Sequence, residues 1–483
     1  MHGSKLFEVL GAFDPKELRR LHAFLISPFF AQSRSNELVV RLLEWLLPHA
    51  PDFRSPLLTK ATTFANLFPE KDYHPGQLEK VMTSLLKETY RFLPFHQESQ
   101  EQSKISLLLA QAHFFQQRGM EKYFNKTINQ LHRHQEQRRP RDIDFYYDQY
   151  QIDAVISEFA SMYNTRNSEL HIPETLRSFD NYYLLHRLEY TCKLLSQNQH
   201  FVSPNIQDNI DQLEEMLPRM TRNAIAEIPL IRAYINAFDL LRGKEDEKAY
   251  TDLCEVIETH EADIPRFHLQ SLETFCRNYC IYKYNSGEAK YLPEAFRLYR
   301  LHFEKGHLYY EGRIMPSTIQ SLVSLGLRLR EYDWIYQFLE ATRDKIAGDK
   351  HPEEVFQFNL ASYYFALNQY EEALELLTDK YEDIYYKIVA KRLEIKIYYE
   401  QDSPLTSSRL DAFKIFIFRL PKKSISNLQR EGNNRFADIL KQILNPKTTG
   451  NEARINKLIQ KVGEHKVLAD KGWLLGILKK MTS

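Results

Sequence analysis

Two cysteines one helical turn apart are the first residues in this chain whose spacing suits chemistry. Cys276 and Cys280 would share one face of a helix and could offer two thiols to a metal ion. A structural zinc site needs four ligands, however, and no CxxC or HxxxH pair stands nearby. His132 and His134 are two residues apart and would point in different directions on a helix. We therefore predict that both cysteines are small core residues and that the chain holds no metal.

The sequence lacks the compact motifs of the common catalytic sites. The phosphate-binding glycine patterns GxxxxGK[ST] and GxGxxG do not occur, and GxSxG and HExxH are also missing. Carboxylates are plentiful but scattered, so no acid and base can be paired from the sequence. We predict a protein that is not an enzyme and that uses no cofactor.

Three arginines form a cationic run after the two histidines. Arg138, Arg139 and Arg141 could bind phosphate or the carboxylates of an acidic partner. The same run is also typical of a solvated helix end, where cations complement the helix dipole. Both interpretations stay open, and the three arginines are candidate partner-binding residues.

Pairs of adjacent tyrosines recur along the chain, at residues 146–147, 182–183, 309–310, 363–364, 385–386 and 398–399. Adjacent helical positions lie about 100° apart, so one ring of a pair can face a partner helix while the other leans toward a groove. Rings in a groove are favoured anchors for peptides. Ordinary packing between helices is the alternative.

Composition indicates a helical protein in a reducing compartment. Only 15 glycines and 20 prolines occur in 483 residues, which disfavours an all-β fold with many tight turns. Aromatic residues make up 13% of the chain and suit contacts between helices. The four cysteines are too few for a disulfide framework, and neither a signal peptide nor a run of about 20 apolar residues is visible. We expect a cytoplasmic protein without a membrane span.

Charge is balanced overall but unevenly distributed. The formal net charge is zero, yet residues 409–483 carry 16 lysines and arginines against 6 acidic residues, a net charge of +10. This basic C-terminal region could attract an acidic partner, RNA or anionic lipid. It could equally cap an acidic helical body and neutralise it within the chain. The sequence does not decide between the two.

The first 95 residues predict a small helical unit. Asp14-Pro15 is an N-cap followed by a first-turn proline, and further prolines at 48, 69 and 94 are expected to end later helices. Its last two helices, at about 57–67 and 75–93, resemble the helix-turn-helix pair of winged-helix regulators, although no strand hairpin follows. The second helix carries cations and carboxylates together, namely Lys80, Lys87, Arg91, Glu79 and Glu88, whereas DNA binding needs a clearly positive face.

The middle of the chain shows the period of a two-helix repeat. Apolar residues between 354 and 402 recur at helical spacing, with a break at Asn368-Gln369 that predicts a helical hairpin. LVSLGLRLREYDWIYQFLE aligns with NLASYYFALNQYEEALELL at an offset of 38, so that Val323 matches Ala361 and Leu329 matches Leu367. A hairpin of this size cannot bury its apolar faces alone, and stacking on neighbours would bury them.

The hairpin resembles the tetratricopeptide repeat, with Leu360, Ala361, Tyr364, Ala373 and Leu377 at its packing positions. It departs from that repeat at Gln357 and Tyr385. The whole chain resembles an uncharacterised family of bacterial tetratricopeptide-like (TPR-like) proteins, through segments such as NYCIYKYNSGEAKYLPEAFRLY and KVLADKGWLL. This resemblance implies an all-helical repeat fold and supplies no catalytic residues. It also implies that the concave side of the first hairpin helix carries the apolar surface Val355, Phe358, Ser362, Phe365 and Ala366.

These observations predict an all-α chain folded as an α-α superhelix, a TPR-like solenoid with helical caps. Residues 1–95 would form the N-terminal unit, 96–408 the solenoid and 409–483 the basic C-terminal cap, docked through Trp473, Leu474 and Leu475. The predicted function is a non-enzymatic scaffold or adaptor that binds another protein or peptide. The alternative is a transcriptional regulator that binds nucleic acid through its N-terminal unit and senses a signal through the helical body.

Overall fold

The structure is a computed structural model that describes most of the chain. The described residues are 4–27, 36–74, 76–97, 100–163, 171–198, 206–220, 228–243, 247–347, 351–377, 381–421, 423–445, 450–465 and 467–482. Within these ranges the protein has 23 α-helices and, as its only sheet, one hairpin of two-residue strands. The predicted all-α class is confirmed.

The chain divides into two compact units, residues 1–138 with 144–179, and residues 139–143 with 180–483. The first unit holds α1 (Lys5–Leu10), α2 (Pro15–Ile26), α3 (Asn36–Leu46), α4 (Lys60–Leu67), α5 (Gln77–Gln97), α6 (Gln100–Gln117), α7 (Glu121–Gln137), most of α8 (Ile143–Tyr163) and the first turns of α9 (Ile172–Asn198). A short 3-10 helix, Leu47–His49, follows α3.

The first helices of this unit form where their capping residues predict. The Asp14 carboxylate accepts hydrogen bonds from the backbone N–H groups of Lys16 and Glu17, at 2.6 and 2.8 Å, and Glu17 accepts one from the backbone of Asp14. This reciprocal capping box fixes the start of α2. Its apolar face then joins one core cluster that runs from Leu6 to Phe92 and packs around α5.

The second unit is built of consecutive helices that pack in pairs. Its helices are the rest of α9, α10 (Ile206–Met220), α11 (Pro229–Arg242), α12 (Glu247–Thr259), α13 (Arg266–Asn285), α14 (Tyr291–Glu304), α15 (Pro316–Leu329), α16 (Tyr332–Thr342), α17 (Pro352–Ala366), α18 (Tyr370–Leu376), α19 (Ile384–Glu400), α20 (Leu405–Arg419), α21 (Asn427–Ile443), α22 (Glu452–Glu464) and α23 (Lys471–Lys480). A 3-10 turn, Arg343–Lys345, follows α16.

Contacts within the second unit follow a regular rule. Each of α11, α13, α15 and α17 packs against the next helix, and α11 also packs against α13, α15 against α17, and α17 against α19. The exception lies between the second and third of these pairs, where α15 packs against α14 rather than against α13. The first helices of neighbouring pairs thus pack together at α11–α13, α15–α17 and α17–α19.

Gly326 allows α15 to approach its neighbours α14 and α16 closely. A Cβ at this position of α15 would stand 2.5 Å from Ile335 Cδ1 on α16 and 2.9 Å from Phe296 Cε2 on α14. Ordinary carbon contacts are about 3.5–4.0 Å. The hydrogen side chain of glycine is therefore what lets α15 settle against both neighbours.

Two local expectations are corrected by the structure. Pro94 does not end its helix, because α5 continues to Gln97. The proline lies in the last turn, where it removes only one of the final intrahelical hydrogen bonds. The tyrosines at 309–310 are not on a helix but form β1 (Tyr309–Tyr310), paired antiparallel with β2 (Arg313–Ile314). The turn between these strands has positive φ at Glu311 and Gly312, 50° and 78°, as tight hairpins prefer.

The end of the described chain has its own apolar core. Buried residues of α20 to α23, such as Phe413, Phe436 and Leu474, form one cluster with the α19 residues Ile388 and Ile395. The last helix is therefore held by packing in this cluster.

Candidate functional site

A groove in the described second unit runs along α13, α15, α17 and α19. Its volume is about 890 Å³. Residues from α13, α15, α17, α19 and the C-terminal segment 468–475 line it, namely Tyr284, Asn285, Gln320, Val323, Ser324, Leu327, Arg328, Phe358, Asn359, Ser362, Phe365, Ala366, Val389, Arg392, Leu393, Lys396, Leu468, Asp470, Lys471, Gly472, Trp473 and Leu475. Ligand sites in proteins typically enclose about 300–1,000 Å³, so this groove has the size of a binding site.

Four of the five apolar-surface residues expected on α17 line this groove. Phe358, Ser362, Phe365 and Ala366 are spaced by four, three and one residues, which places them on one helix face. Val355 does not take part, because its side chain is fully buried in the core one turn earlier.

The polar side chains on this face are bonded to their own helix. The Ser362 hydroxyl donates to the Phe358 carbonyl at 2.9 Å, and the Asn359 amide donates to the Val355 carbonyl at 2.7 Å. Both donors are thereby satisfied within α17. The face that α17 presents to the groove is thus mainly apolar.

The internal repeat explains which residues α15 contributes. At the offset of 38, Ser324 corresponds to Ser362, Leu327 to Phe365 and Arg328 to Ala366, and all six line the groove. Successive repeats therefore turn equivalent positions toward the same cavity. The sequence already held this signal, since the offset was visible there and only needed to be applied to the surface residues.

The C-terminal segment supplies a wall that the sequence did not predict. The Asp470 carboxylate accepts hydrogen bonds from Arg392 Nε at 2.8 Å and from Lys396 Nζ at 3.0 Å. Arg392 also donates to Asn433 on α21, at 2.6 Å. Burial alone would raise the pKa of Asp470, but the two cations outweigh it and hold that pKa well below its usual value. The carboxylate is therefore ionised and ties α19 to the start of α23.

The aromatic end of this segment is anchored beside the groove. Trp473 Nε1 donates to Glu400 at 2.8 Å, and its ring meets the Tyr399 ring edge-on at a centroid distance of 5.3 Å. Leu474 is fully buried in the C-terminal core, and Leu475 is half-buried and lines the groove.

Charge in the groove is predominantly positive. Four cations line it, Arg328, Arg392, Lys396 and Lys471, and Asp470 is the only acidic residue among its lining residues. Lys396 Nζ also lies 5.2 Å from the centre of the Phe365 ring, a cation–π distance. An excess of positive charge beside an apolar floor favours ligands that combine apolar groups with carboxylates.

The three arginines of the predicted cationic run belong to different compact units. Arg138 belongs to the first unit, ends α7, and bonds Asp148 at 2.7 Å with both side chains largely buried. Arg139 and Arg141 group with the second unit and are exposed. Arg138 is thus engaged in an ion pair within its own unit.

The tyrosine pairs behave differently from place to place. At 385–386, Tyr386 is buried while Tyr385 is 37% exposed and donates to Gln320 Oε1 at 2.7 Å, bridging α19 to α15. At 363–364 the two rings contact each other at 5.6 Å, and both are half-buried. The 385–386 pair therefore places one ring inward and the other outward, as adjacent helical positions allow, and so does the 146–147 pair, in which Tyr146 is buried and Tyr147 is exposed.

The helix-turn-helix-like segment carries cations that are partly neutralised. Lys60 on α4 bonds Glu79 on α5 at 2.8 Å, and this hydrogen bond lowers the pKa of Glu79 to about 2. Arg91 pairs with Glu88 at 2.9 Å on the same helix. These pairs leave α5 without the uniformly positive face that phosphate contacts need.

The basic C-terminal region contains both paired and outward-facing cations. Arg409 pairs with Glu394 on α19 at 3.4 Å, and Lys414 pairs with Asp438 within the region at 2.6 Å. By contrast, Arg454, Lys457 and Lys461 are exposed along one side of α22. Part of the region is thus neutralised within the chain, and part faces solvent.

Cys276 and Cys280 are buried, at 2% and 0% exposure. Among the described residues no group of three or more histidine, cysteine and acidic side chains is arranged to hold a metal ion. None of the described helices combines the length and the hydropathy that crossing a bilayer requires.

Comparison with known proteins adds no relative. No protein-family model matches this chain, and neither the curated proteins nor the solved structures give a match. Its TPR-like character therefore stays a prediction from sequence.

Proposed function

We propose that this protein is a non-enzymatic interaction module, a superhelical stack of TPR-like helix pairs that binds a segment of another protein in the groove of its second unit. The observation that carries the proposal is the common lining of that groove by α13, α15, α17 and α19. Equivalent faces of successive helix pairs make a continuous surface, and extended concave surfaces of this kind serve repeat proteins as binding sites.

The chemistry of the lining supports one class of partner. Phe365 and Leu327, both half-buried, offer apolar contacts, while Arg328, exposed at the border, offers a guanidinium group to a carboxylate. The proposed ligand is a short peptide segment in which apolar side chains alternate with aspartate or glutamate. Apolar side chains would supply most of the binding free energy, at about 25 cal/mol for each Å² buried, and the carboxylates would fix register.

Two serines on α15 give a matched test of the site. Ser324 and Ser317 are both exposed, but only Ser324 lines the groove. In Ser324→Trp an indole would occupy the cavity, whereas in Ser317→Trp the same group would stand outside it. Peptides of about 12 residues would be selected from a displayed random library on the wild-type protein, and their Kd values measured by fluorescence anisotropy.

We expect selected peptides to combine apolar and acidic residues, and Ser324→Trp to weaken their binding at least tenfold while Ser317→Trp changes it less than twofold. Arg328→Glu should weaken the acidic peptides further as salt is lowered, since screening of a repulsive charge is then least. Selection of no peptide, or equal binding by both tryptophan variants, would refute the groove as the site.

A further inference from the structure

The sulfur atoms of Cys254 and Cys276 lie 3.8 Å apart, across the contact between α12 and α13. The four cysteines of the chain are all free thiols, and the other two lie elsewhere, Cys192 on α9 and Cys280 one helical turn beyond Cys276. Two thiols in direct contact on neighbouring helices are placed for a reaction that neither could undergo alone.

The two thiols differ in access to solvent. Cys276 is 2% exposed, while Cys254 is half-buried and is the member that a small solute can reach. A hydrogen bond between the thiols lowers the pKa of Cys254 and raises that of Cys276. Burial raises the pKa of Cys280 to about 12 and also raises that of Cys192, so these two stay protonated. Since the thiolate is the reactive form, Cys254 is the expected point of attack.

We propose that Cys254 and Cys276 form an oxidation site at which hydrogen peroxide closes a disulfide between α12 and α13. The Cys254 thiolate attacks one peroxide oxygen, giving a sulfenic acid and releasing hydroxide. The Cys276 sulfur then displaces the hydroxyl group from that sulfenic acid, and its proton leaves with the hydroxyl group as water. Overall, two thiols and one peroxide give one disulfide and two waters.

The movement required is small. A disulfide bond is about 2.05 Å long, so the two sulfurs must approach by about 1.8 Å. Rotation of both side chains can supply part of that approach, although the neighbouring α12 residues Leu253 and Val256 are fully buried and restrict movement of the helix itself. The product would bridge 22 positions of sequence and would join one helix pair, α11 with α12, to the next, α13 with α14.

Trypsin separates the cysteines concerned. Cys254 falls in AYTDLCEVIETHEADIPR, Cys276 in FHLQSLETFCR and Cys280 in NYCIYK. The folded full-length protein would be treated with a few equivalents of hydrogen peroxide, quenched, alkylated with iodoacetamide under denaturing conditions, digested without reductant and analysed by mass spectrometry. Cys254→Ser, Cys276→Ala and Cys280→Ala would be treated in parallel.

We expect the first two peptides to appear joined, 2 Da below the sum of their masses, and to separate on reduction. The joined species should persist in Cys280→Ala and vanish in the other two variants, with NYCIYK recovered fully alkylated from the wild-type protein. Oxidised wild-type protein should also melt several degrees above its reduced form, since a cross-link restricts the unfolded chain. Oxidation of Cys254 to sulfinic acid without cross-linking, or cross-linking to Cys280 instead, would overturn the proposal.

Discussion

Substitution of Gly326 by alanine tests the close packing of the helix pairs most directly. The new methyl carbon would lie 2.5 and 2.6 Å from two carbons of Ile335 and 2.9 Å from the Phe296 ring, about 1 Å inside ordinary contact. Overpacking of this kind costs roughly 1–3 kcal/mol. Alanine also favours a helix by about 1 kcal/mol over glycine, which would hide part of that cost.

Gly476 provides the control that removes this ambiguity. It lies inside α23, is exposed, and has no neighbouring atom within 4 Å of the position a Cβ would take. The helix-propensity gain is common to Gly326→Ala and Gly476→Ala, so the difference between them isolates the overpacking cost. We expect Gly476→Ala to be neutral or slightly stabilising and Gly326→Ala to be less stable than it by about 1–3 kcal/mol. At about 2–4 °C per kcal/mol, the melting temperatures should differ by roughly 2–12 °C in calorimetry.

The neighbouring repeat suggests a rescue. At the offset of 38, Gly326 corresponds to Tyr364 and Ile335 to Ala373, so the large and small residues are exchanged between the two helices. Shortening the opposing side chain in the double variant Gly326→Ala with Ile335→Ala should therefore cost less than the sum of the single changes. Equal stability of Gly326→Ala and Gly476→Ala would show that α15 and α16 do not approach as closely as described.

Two further predictions concern the groove itself. Asp470→Asn should lower the free energy of unfolding by about 1.5–3 kcal/mol at pH 7, because it removes the charge that pairs with Arg392 and Lys396. The pKa of Asp470 in the folded state lies below its value near 3.9 in the unfolded state. The stability that the wild-type protein gains over Asp470→Asn is therefore complete above about pH 3.9 and is lost as the pH falls through the folded-state pKa. Urea unfolding should show a smaller difference in the free energy of unfolding between the two proteins near pH 3 than at pH 7. Phe358→Ala should lower the free energy of unfolding by about 3–5 kcal/mol in the same assay, since Phe358 is only 8% exposed. Phe365 is half-buried, so Phe365→Ala should lower the free energy of unfolding by less and should weaken peptide binding. Equal losses for the two phenylalanine variants would contradict this assignment of core and surface.

Local periodicity was sufficient to predict the helices but not the details of their ends. The break at Asn368-Gln369 correctly separates α17 from α18, because hydrophobic spacing and turn residues act over a few positions. The same rules fail at Pro94, because a proline in the last turn removes only one of the final intrahelical hydrogen bonds. The Tyr309–Tyr310 hairpin was missed, since two-residue strands leave no period to detect.

The groove was predicted in part. The repeat pattern placed Phe358 and Phe365 on one face, but it assigned Val355 to that face although the residue is buried. The Asp470 contacts were beyond any local rule, because the aspartate lies 78 residues from Arg392 in sequence. A pairing of that range depends on how the C-terminal helices pack, which a single sequence read by local pattern does not reveal.

The contribution of residues 468–475 to the groove has a consequence for synthesis on the ribosome. At about 5–20 residues per second, the roughly 110 residues between Phe365 and Leu475 take on the order of 5–20 s to translate. During that interval the apolar face of α17 has emerged while the wall that carries Asp470 has not yet been made. A nascent chain would therefore present a wider trough than the finished protein, in which Arg392 and Lys396 do not yet have Asp470 as their acidic partner.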